Sequence, residues 1–133
     1  MRIKPPRRIL SAALCCLVCW GCGPAGSGKV PDLIPVKGKV TYKGKPLTKG
    51  TIKFEPEGFG RPAVGHLQAD GSYVLTTRSD GDGVVAGDHR VSIAGLEKSL
   101  SKDRAIKKFT SPNTSRLTAT VDAEHTEFNF NLP

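Results

Sequence analysis

The side chains able to do chemistry in this chain are few and scattered. His66, His89 and His125 lie far apart, and none has the H-E-x-x-H or comparable close spacing of a metal or catalytic pair. Isolated histidines on strands are more often structural than ligating. No serine stands in a G-x-S-x-G elbow, so no nucleophile is marked. Asp80, Asp82 and Asp88 gather three carboxylates in the stretch RSDGDGVVAGD and are the candidate calcium ligands. A calcium loop takes about six to eight oxygens and usually closes on a bidentate carboxylate, and no glutamate stands at the closing place. Asp-Gly pairs more often make turns. GPAGSGKV (residues 23–30) comes close to the phosphate-cradling G-x-x-x-x-G-K-[ST] loop. Val30 replaces its magnesium-holding hydroxyl, however, and no strand–loop–helix context surrounds it.

Cys19 and Cys22 have the C-x-x-C spacing of redox and zinc sites. All four cysteines (Cys15, Cys16, Cys19 and Cys22) crowd into an apolar leader, so the rest of the chain has neither a disulfide nor a thiolate metal site. No cofactor is expected. Lys37 or Lys39, facing Asn129 or Asn131, raises the idea of a self-formed Lys–Asn isopeptide bond. Such a bond needs buried partners beside a carboxyl, and alternation puts these residues on the wet face. Lys37, Lys39, Lys43 and Lys45, with Lys49 and Lys53, are the candidate surface contact, able to attract anionic headgroups or envelope polysaccharide. Lysines also protect sheet edges from pairing with other chains, and that bland role is the favoured one.

The charge balance weakens any nucleic-acid reading. The chain of 133 residues carries +8, from 20 basic and 12 acidic residues. Arg2, Lys4, Arg7 and Arg8 precede the first apolar run; without them the balance is +4, with no concentrated basic and aromatic patch.

That first segment reads as an export signal. MRIKPPRR is a positive n-region, and Ile9 to Val18 is an apolar run of signal length, too short to span comfortably as a permanent helix. The following Cys19-Trp20-Gly21-Cys22-Gly23 resembles a bacterial lipobox, with Gly21 before the cleavage point and Cys22 as the lipid-attachment residue. Cys19 and Trp20 depart from the usual Leu-like and small residues. An ordinary cleaved leader and an uncleaved anchor are the alternatives. The resemblance implies a diacylglyceryl thioether on Cys22, usually with a further acyl group such as palmitate on its amine. Each buried methylene contributes about 0.8 kcal/mol, so several chains hold a protein firmly on a membrane. Gly23, which is not Asp, implies an outer-membrane destination. The expected organisation is a lipoprotein signal peptide over 1–21, lipidated Cys22 with a Gly/Pro/Ser-rich flexible linker over 22–35, and one domain over 36–133.

What must position these residues is a set of strands. The organising stretch, VKGKVTYKGKPLTKGTIKFE (36–55), alternates cleanly: Val36, Gly38, Val40 and Tyr42 on one face, lysines and Thr41 on the other. It reads as two strands joined by a tight turn at Lys43-Gly44-Lys45-Pro46, with Ile52 and Phe54 resuming the apolar face. Further strands are expected over 63–68, 73–77, 89–93, 117–121 and 128–132, with a turn at Asp70-Gly71. The loops are 56–62, 78–88 and a charged stretch over 96–115, in which Leu100, Ile106 and Phe109 are anchors for a helical turn. Seven short strands with turn signals about every dozen residues predict an all-β, Greek-key-like β-sandwich. Its core would hold Val40, Tyr42, Ile52, Phe54, Leu67, Tyr73, Leu75, Val91, Ile93, Leu117, Val121, Phe128, Phe130 and Leu132.

GKVTYKGKPLTKGTIKFEP, then ADGSYVL, then GVVAGDHRVSI, resembles the carboxypeptidase regulatory-like, or transthyretin-like, β-sandwich family. Asp70, Gly71 and Tyr73 match its turn, and Gly87 and Val91 its later strand, with His89 where tyrosine is common. The tail SPNTSRLTATVDAEHTEFNFNL is similar to planctomycete-type envelope lipoproteins of this class. The resemblance covers about Val36 to Leu132 and rests on glycines and core residues, which specify a fold rather than an activity. It implies a non-catalytic accessory or adhesive module, with no zinc-peptidase motif. The expectation is a membrane-anchored envelope lipoprotein, not an enzyme, acting as a structural or binding module. The alternative is a carbohydrate- or protein-recognition module using the 56–62, 78–88 and 96–115 loops.

Overall fold

Alternation decides the first long strand: along Lys37–Tyr42 the even positions Gly38, Val40 and Tyr42 are buried, while Lys37 and Lys39 are exposed. The computed structural model describes residues 31–133, so the leader, Cys22 and most of the linker lie outside the described residues. In chain order the strands are β1 (Leu33–Ile34), β2 (Lys37–Tyr42), β3 (Lys45–Pro46), β4 (Thr51–Pro56), β5 (Ala63–His66), β6 (Ser72–Val74), β7 (Val84–Val85), β8 (Gly87–Ala94), β9 (Leu117–Val121) and β10 (Phe130–Leu132). Between β8 and β9 come α1 (Lys98–Ser101), α2 (Arg104–Lys107), a 3-10 turn (Lys108–Thr110) and α3 (Pro112–Ser115).

Among the described residues the fold is all-β, but with ten strands in three sheets rather than seven strands in two. All seven expected segments form strand; the additions are the two-residue strands β1, β3 and β7. One four-stranded sheet is built on β2, with β10 parallel on one edge and β6 and β3 antiparallel on the other. The second runs β5-β4-β8-β9, all antiparallel. The third is β1 paired with β7. That pairing corrects the linker: Leu33 and Ile34 belong to the folded part, because their backbones meet Val85 and Val84 in the segment expected to be a loop. Val84 and Val85 are buried, which draws that segment inward.

The 36–55 stretch is not a hairpin of its two long strands, since β2 and β4 lie in different sheets. Lys43 (φ 51°) and Gly44 (φ 78°) both take positive φ, as a two-residue type I′ turn demands, and fold β3 back on β2. Leu47 then donates to the Val40 carbonyl, and the chain crosses over to begin β4. The apolar faces of β2 and β4 therefore meet across the core instead of lying side by side.

That core takes Val40, Tyr42, Ile52, Phe54, Tyr73, Leu75, Val91, Ile93 and Leu132 from the two large sheets. Burying each large side chain contributes roughly 1.5–3 kcal/mol. Phe54 is the hub: its ring lies 5.9 Å from Phe128, 6.1 Å from Phe130, 6.3 Å from Tyr73 and 5.9 Å from His89. Leu117, Phe128 and Phe130 are only partly buried. Leu47, Ala63, Val84, Val85, Ala119 and the anchors Ile106 and Phe109 complete the core. Ser115 secures α3 by donating to the Val91 carbonyl.

Candidate functional site

The strand registers divide the molecule into two ends. Lys37, Val74, Pro56, Gly87 and Val121 lie toward the end where β1 enters; Tyr42, Lys45, Thr51, Ala94 and Leu117 lie toward the opposite, distal end. The four lysines read as one face are split accordingly. Lys37 and Lys43 are six residues apart, about 20 Å along a strand. Lys39 reaches Asp70 at 4.0 Å, and Lys53, in the other sheet, reaches Glu55 at 3.7 Å. Lys37, Lys39, Lys43 and Lys45 are all exposed.

At the distal end Lys43 and Lys45 border a cleft of about 370 Å³ that is also lined by Tyr42, Leu47, Leu100 and Asp103. Asp103 is its organiser. One carboxylate oxygen caps α2 by accepting from the Ala105 amide at 2.9 Å. The other accepts from the Tyr42 hydroxyl at 2.5 Å and the Lys43 ammonium at 3.2 Å. The Tyr42 hydroxyl, then the Ala105 amide and Lys43, pull the Asp103 carboxyl down to about 2. The Lys43 ammonium also sits 5.0 Å from the centre of the Tyr42 ring. These contacts lock the helical segment to the β2–β3 turn. Lys98 and Lys102, flanking Leu100 and Asp103, and Lys107, beside Ala94, are exposed and add to Lys43, Lys45 and Lys49 at the distal end, where Glu97 is exposed as well. Sequence reasoning offered 96–115 as one of three recognition loops but did not join its lysines to Lys43 and Lys45; the Tyr42–Asp103 and Lys43–Asp103 contacts make that link.

The entry end is mixed, with the exposed cations Lys37, Arg61 and Arg78 among a larger number of carboxylates. Asp80, Asp82 and Asp88 lie there without converging. Asp82 accepts from the amides of Thr77 at 2.7 Å and of Arg78 and Ser79 at 2.9 Å; those three amides, Thr77 first, hold its carboxyl below the usual range. Asp88 accepts from the Thr120 hydroxyl at 2.6 Å, and Asp80 is exposed. Among the described residues no group of three or more His, Cys, Asp or Glu side chains is placed to hold a metal ion. Asp82, the carboxylate at the centre of the stretch, serves as acceptor for its own loop, the turn role weighed against calcium in the sequence. Asp122 likewise accepts from the amides of Glu124 and His125 and pairs with the His125 ring at 2.8 Å.

The histidines play separate parts. His66 is exposed with its ring nitrogen 3.4 Å from the Thr51 hydroxyl. His89 is buried against Phe54, and its Nε2 donates to the Val85 carbonyl at 2.8 Å, which leaves Nδ1 as an acceptor with no partner among the described residues. Burial pushes its pKa down, against smaller opposing contributions from Val85 and Asp88. The asparagines of the isopeptide idea are spent otherwise: Asn129 Oδ1 accepts from the Lys39 amide and Asn131 Oδ1 from the Thr41 hydroxyl, both at 2.9 Å. The Asn129 side chain thus fills a backbone acceptor place in the β2–β10 ladder.

The three loops named for recognition do not form one surface. Loops 56–62 and 78–88 sit at the entry end, whereas Asp103 holds much of 96–115 at the distal end. Only its last part returns: Arg90 donates to Glu57 at 3.1 Å and to Asn113 at 3.4 Å, beside a shallow cleft of about 220 Å³. No family model, curated protein or solved structure matches this chain.

Proposed function

We propose that the protein is a lipid-anchored, non-catalytic module of the cell envelope, held on the membrane through Cys22. Its distal basic end meets an anionic envelope polysaccharide. The observation that carries this reading is the segregation of charge: Lys43, Lys45, Lys49, Lys98, Lys102 and Lys107 are exposed at the end away from the incoming chain. A field of one sign concentrated on one face attracts a polymer of the opposite sign. Supporting a non-enzymatic role, the carboxylates Asp82, Asp103 and Asp122 are engaged by the protein's own amides and side chains. The finer fold assignment in this proposal is the transthyretin-like, carboxypeptidase regulatory-like sandwich, resting on the motif resemblance and on the two facing sheets. The proposed location is the outer membrane, with no cofactor and no nucleic-acid partner.

A second reading, recognition of a carbohydrate or protein through the loops, draws on one contact set, the bridge from Arg90 to Glu57 and Asn113.

The test is retention of the full chain on an immobilised acidic polysaccharide. Lys43→Ser and Lys45→Ser should each weaken binding by up to about fivefold, the scale of an exposed ion pair, and salt should erode the remainder. Binding unchanged by both substitutions and by salt would sink the distal-end reading. Cys22→Ala should release the chain from membranes; retention in the membrane fraction would refute the anchor.

A further inference from the structure

Among the described residues Phe59 is the largest apolar side chain left wholly in solvent, with 103 % relative exposure, at the tip of Gly58-Phe59-Gly60-Arg61-Pro62 between β4 and β5. A lone exposed apolar residue needs no explanation by itself. Its place in the fold supplies one. Gly60 has φ +143°, and a Cβ there would come within 2.9 Å of the Val85 side chain, so the loop is seated on β7. Val85 is the register partner of Leu33 in β1. The exposed ring therefore projects from the end at which the chain enters the fold. Leu33 is eleven residues from Cys22 in the sequence. That length reaches at most about 36–40 Å, so the entry end cannot lie farther than that from a membrane that holds Cys22.

We infer that Phe59 and Arg61 form a bilayer contact, the ring entering the headgroup–acyl boundary and the guanidinium meeting lipid phosphate. This rests on the lipid-anchored reading above and adds an orientation to it: entry end down, basic distal end outward. The charges facing the loop set the lipid class. Glu57 is engaged by Arg90, Asp88 by Thr120 and Asp122 by His125, while Asp32, Asp80, Glu124 and Glu127 stay exposed and outnumber the exposed cations Lys37, Arg61 and Arg78. An anionic surface would be repelled by these carboxylates, so the partner is a zwitterionic phospholipid surface and the contact is insensitive to salt.

The experiment uses the full lipidated chain on phosphatidylcholine vesicles, with and without brominated acyl chains. Tryptophan is placed by Phe59→Trp or, at the distal end, by Lys45→Trp; the unsubstituted chain, which keeps no tryptophan once Trp20 is cleaved away with the signal peptide, is the blank. Both sites are exposed, so folding is not at stake. The expected result is blue-shifted emission from Phe59→Trp that brominated lipid quenches at low and high salt, with water-like, unquenched emission from Lys45→Trp. Unquenched Phe59→Trp on a chain that floats with the vesicles overturns the contact and leaves the anchor standing. Equal quenching at both sites overturns the orientation. A chain that does not float overturns anchor and contact together.

Discussion

Gly38 is a position at which a single methyl group should do heavy damage. It lies on the buried face of β2, under the hydrogen bond that the Tyr73 hydroxyl donates to the Phe128 carbonyl at 2.6 Å. A Cβ on Gly38 would stand 1.8 Å from that carbonyl oxygen, 2.7 Å from its carbon and 2.8 Å from the Tyr73 oxygen. Two of the three atoms are backbone, so no rotamer relieves the clash. The chain leading into β10 must retreat by more than 1 Å to restore a 3.0 Å clearance. That retreat stretches both the Tyr73–Phe128 bond and the Phe128 amide's bond to the Lys37 carbonyl, now 3.0 Å. Overpacking costs about 1–3 kcal/mol, and each weakened bond about 0.5–1.5 kcal/mol. Gly38→Ala should therefore destabilise by about 2–6 kcal/mol, against a total of about 5–15 kcal/mol for a domain. Tyr73→Phe, which only removes the hydroxyl, should cost about 1–3 kcal/mol. The double variant should cost less than the sum by at least about 0.5 kcal/mol, because both changes break the same bond. Urea unfolding followed by far-ultraviolet circular dichroism measures all three. A Gly38→Ala variant within about 0.5 kcal/mol of the parent, the range of an inert surface change, would refute the reasoning.

Two further outcomes follow from the same packing. His89 is held neutral by burial, so the unfolded chain binds its proton more readily than the folded one. Its contribution to stability is full above about pH 6.5 and is lost as pH falls from there toward the depressed folded value. The urea midpoint should drop between pH 7.5 and pH 5.5, a window above the carboxylate range, and His89→Leu should flatten that drop; an equal slope in both proteins would refute the assignment. Deleting residues 128–133 removes β10, the Phe128 and Phe130 contacts to Phe54 and the buried Leu132. The truncated chain should lose its β circular dichroism and its resistance to protease, and a cooperative unfolding transition in it would contradict the role given to β10.

Of the candidate site, the lysines were legible and their grouping was not. Composition marks Lys43 and Lys45 as charged and turn-borne, because Gly44 and Pro46 break the alternation around them. Nothing local links them to Lys98 or Lys102, more than fifty residues on. That link is a phenol reaching a carboxylate across the end of a sheet, and pairwise contacts of this kind leave no periodic trace. Asp82 shows the reverse case. Its run of Asp and Gly is compatible with a metal loop or a self-capped turn, and only the positions of the three amides decide for the turn.

The amino-acid order alone determined which segments are extended and which face of each is dry. A two-residue period needs only the pleat of the chain, and Val40, Tyr42, Ile52, Phe54, Tyr73, Leu75, Val91 and Ile93 are buried as that period requires. Which strand lies beside which was left to the tertiary structure. The apolar stripes of β2 and β4 are equally satisfied side by side in one sheet or face to face across a core. The choice fell to the type I′ turn at Lys43-Gly44, which spends the β2 edge on β3, and to β8, which takes the edge of β4. The parallel closure of β10 on β2 and the recruitment of Leu33–Ile34 by Val84–Val85 were settled the same way. Backbone edges carry no side-chain signature, so their partners emerge only once the whole chain competes for them.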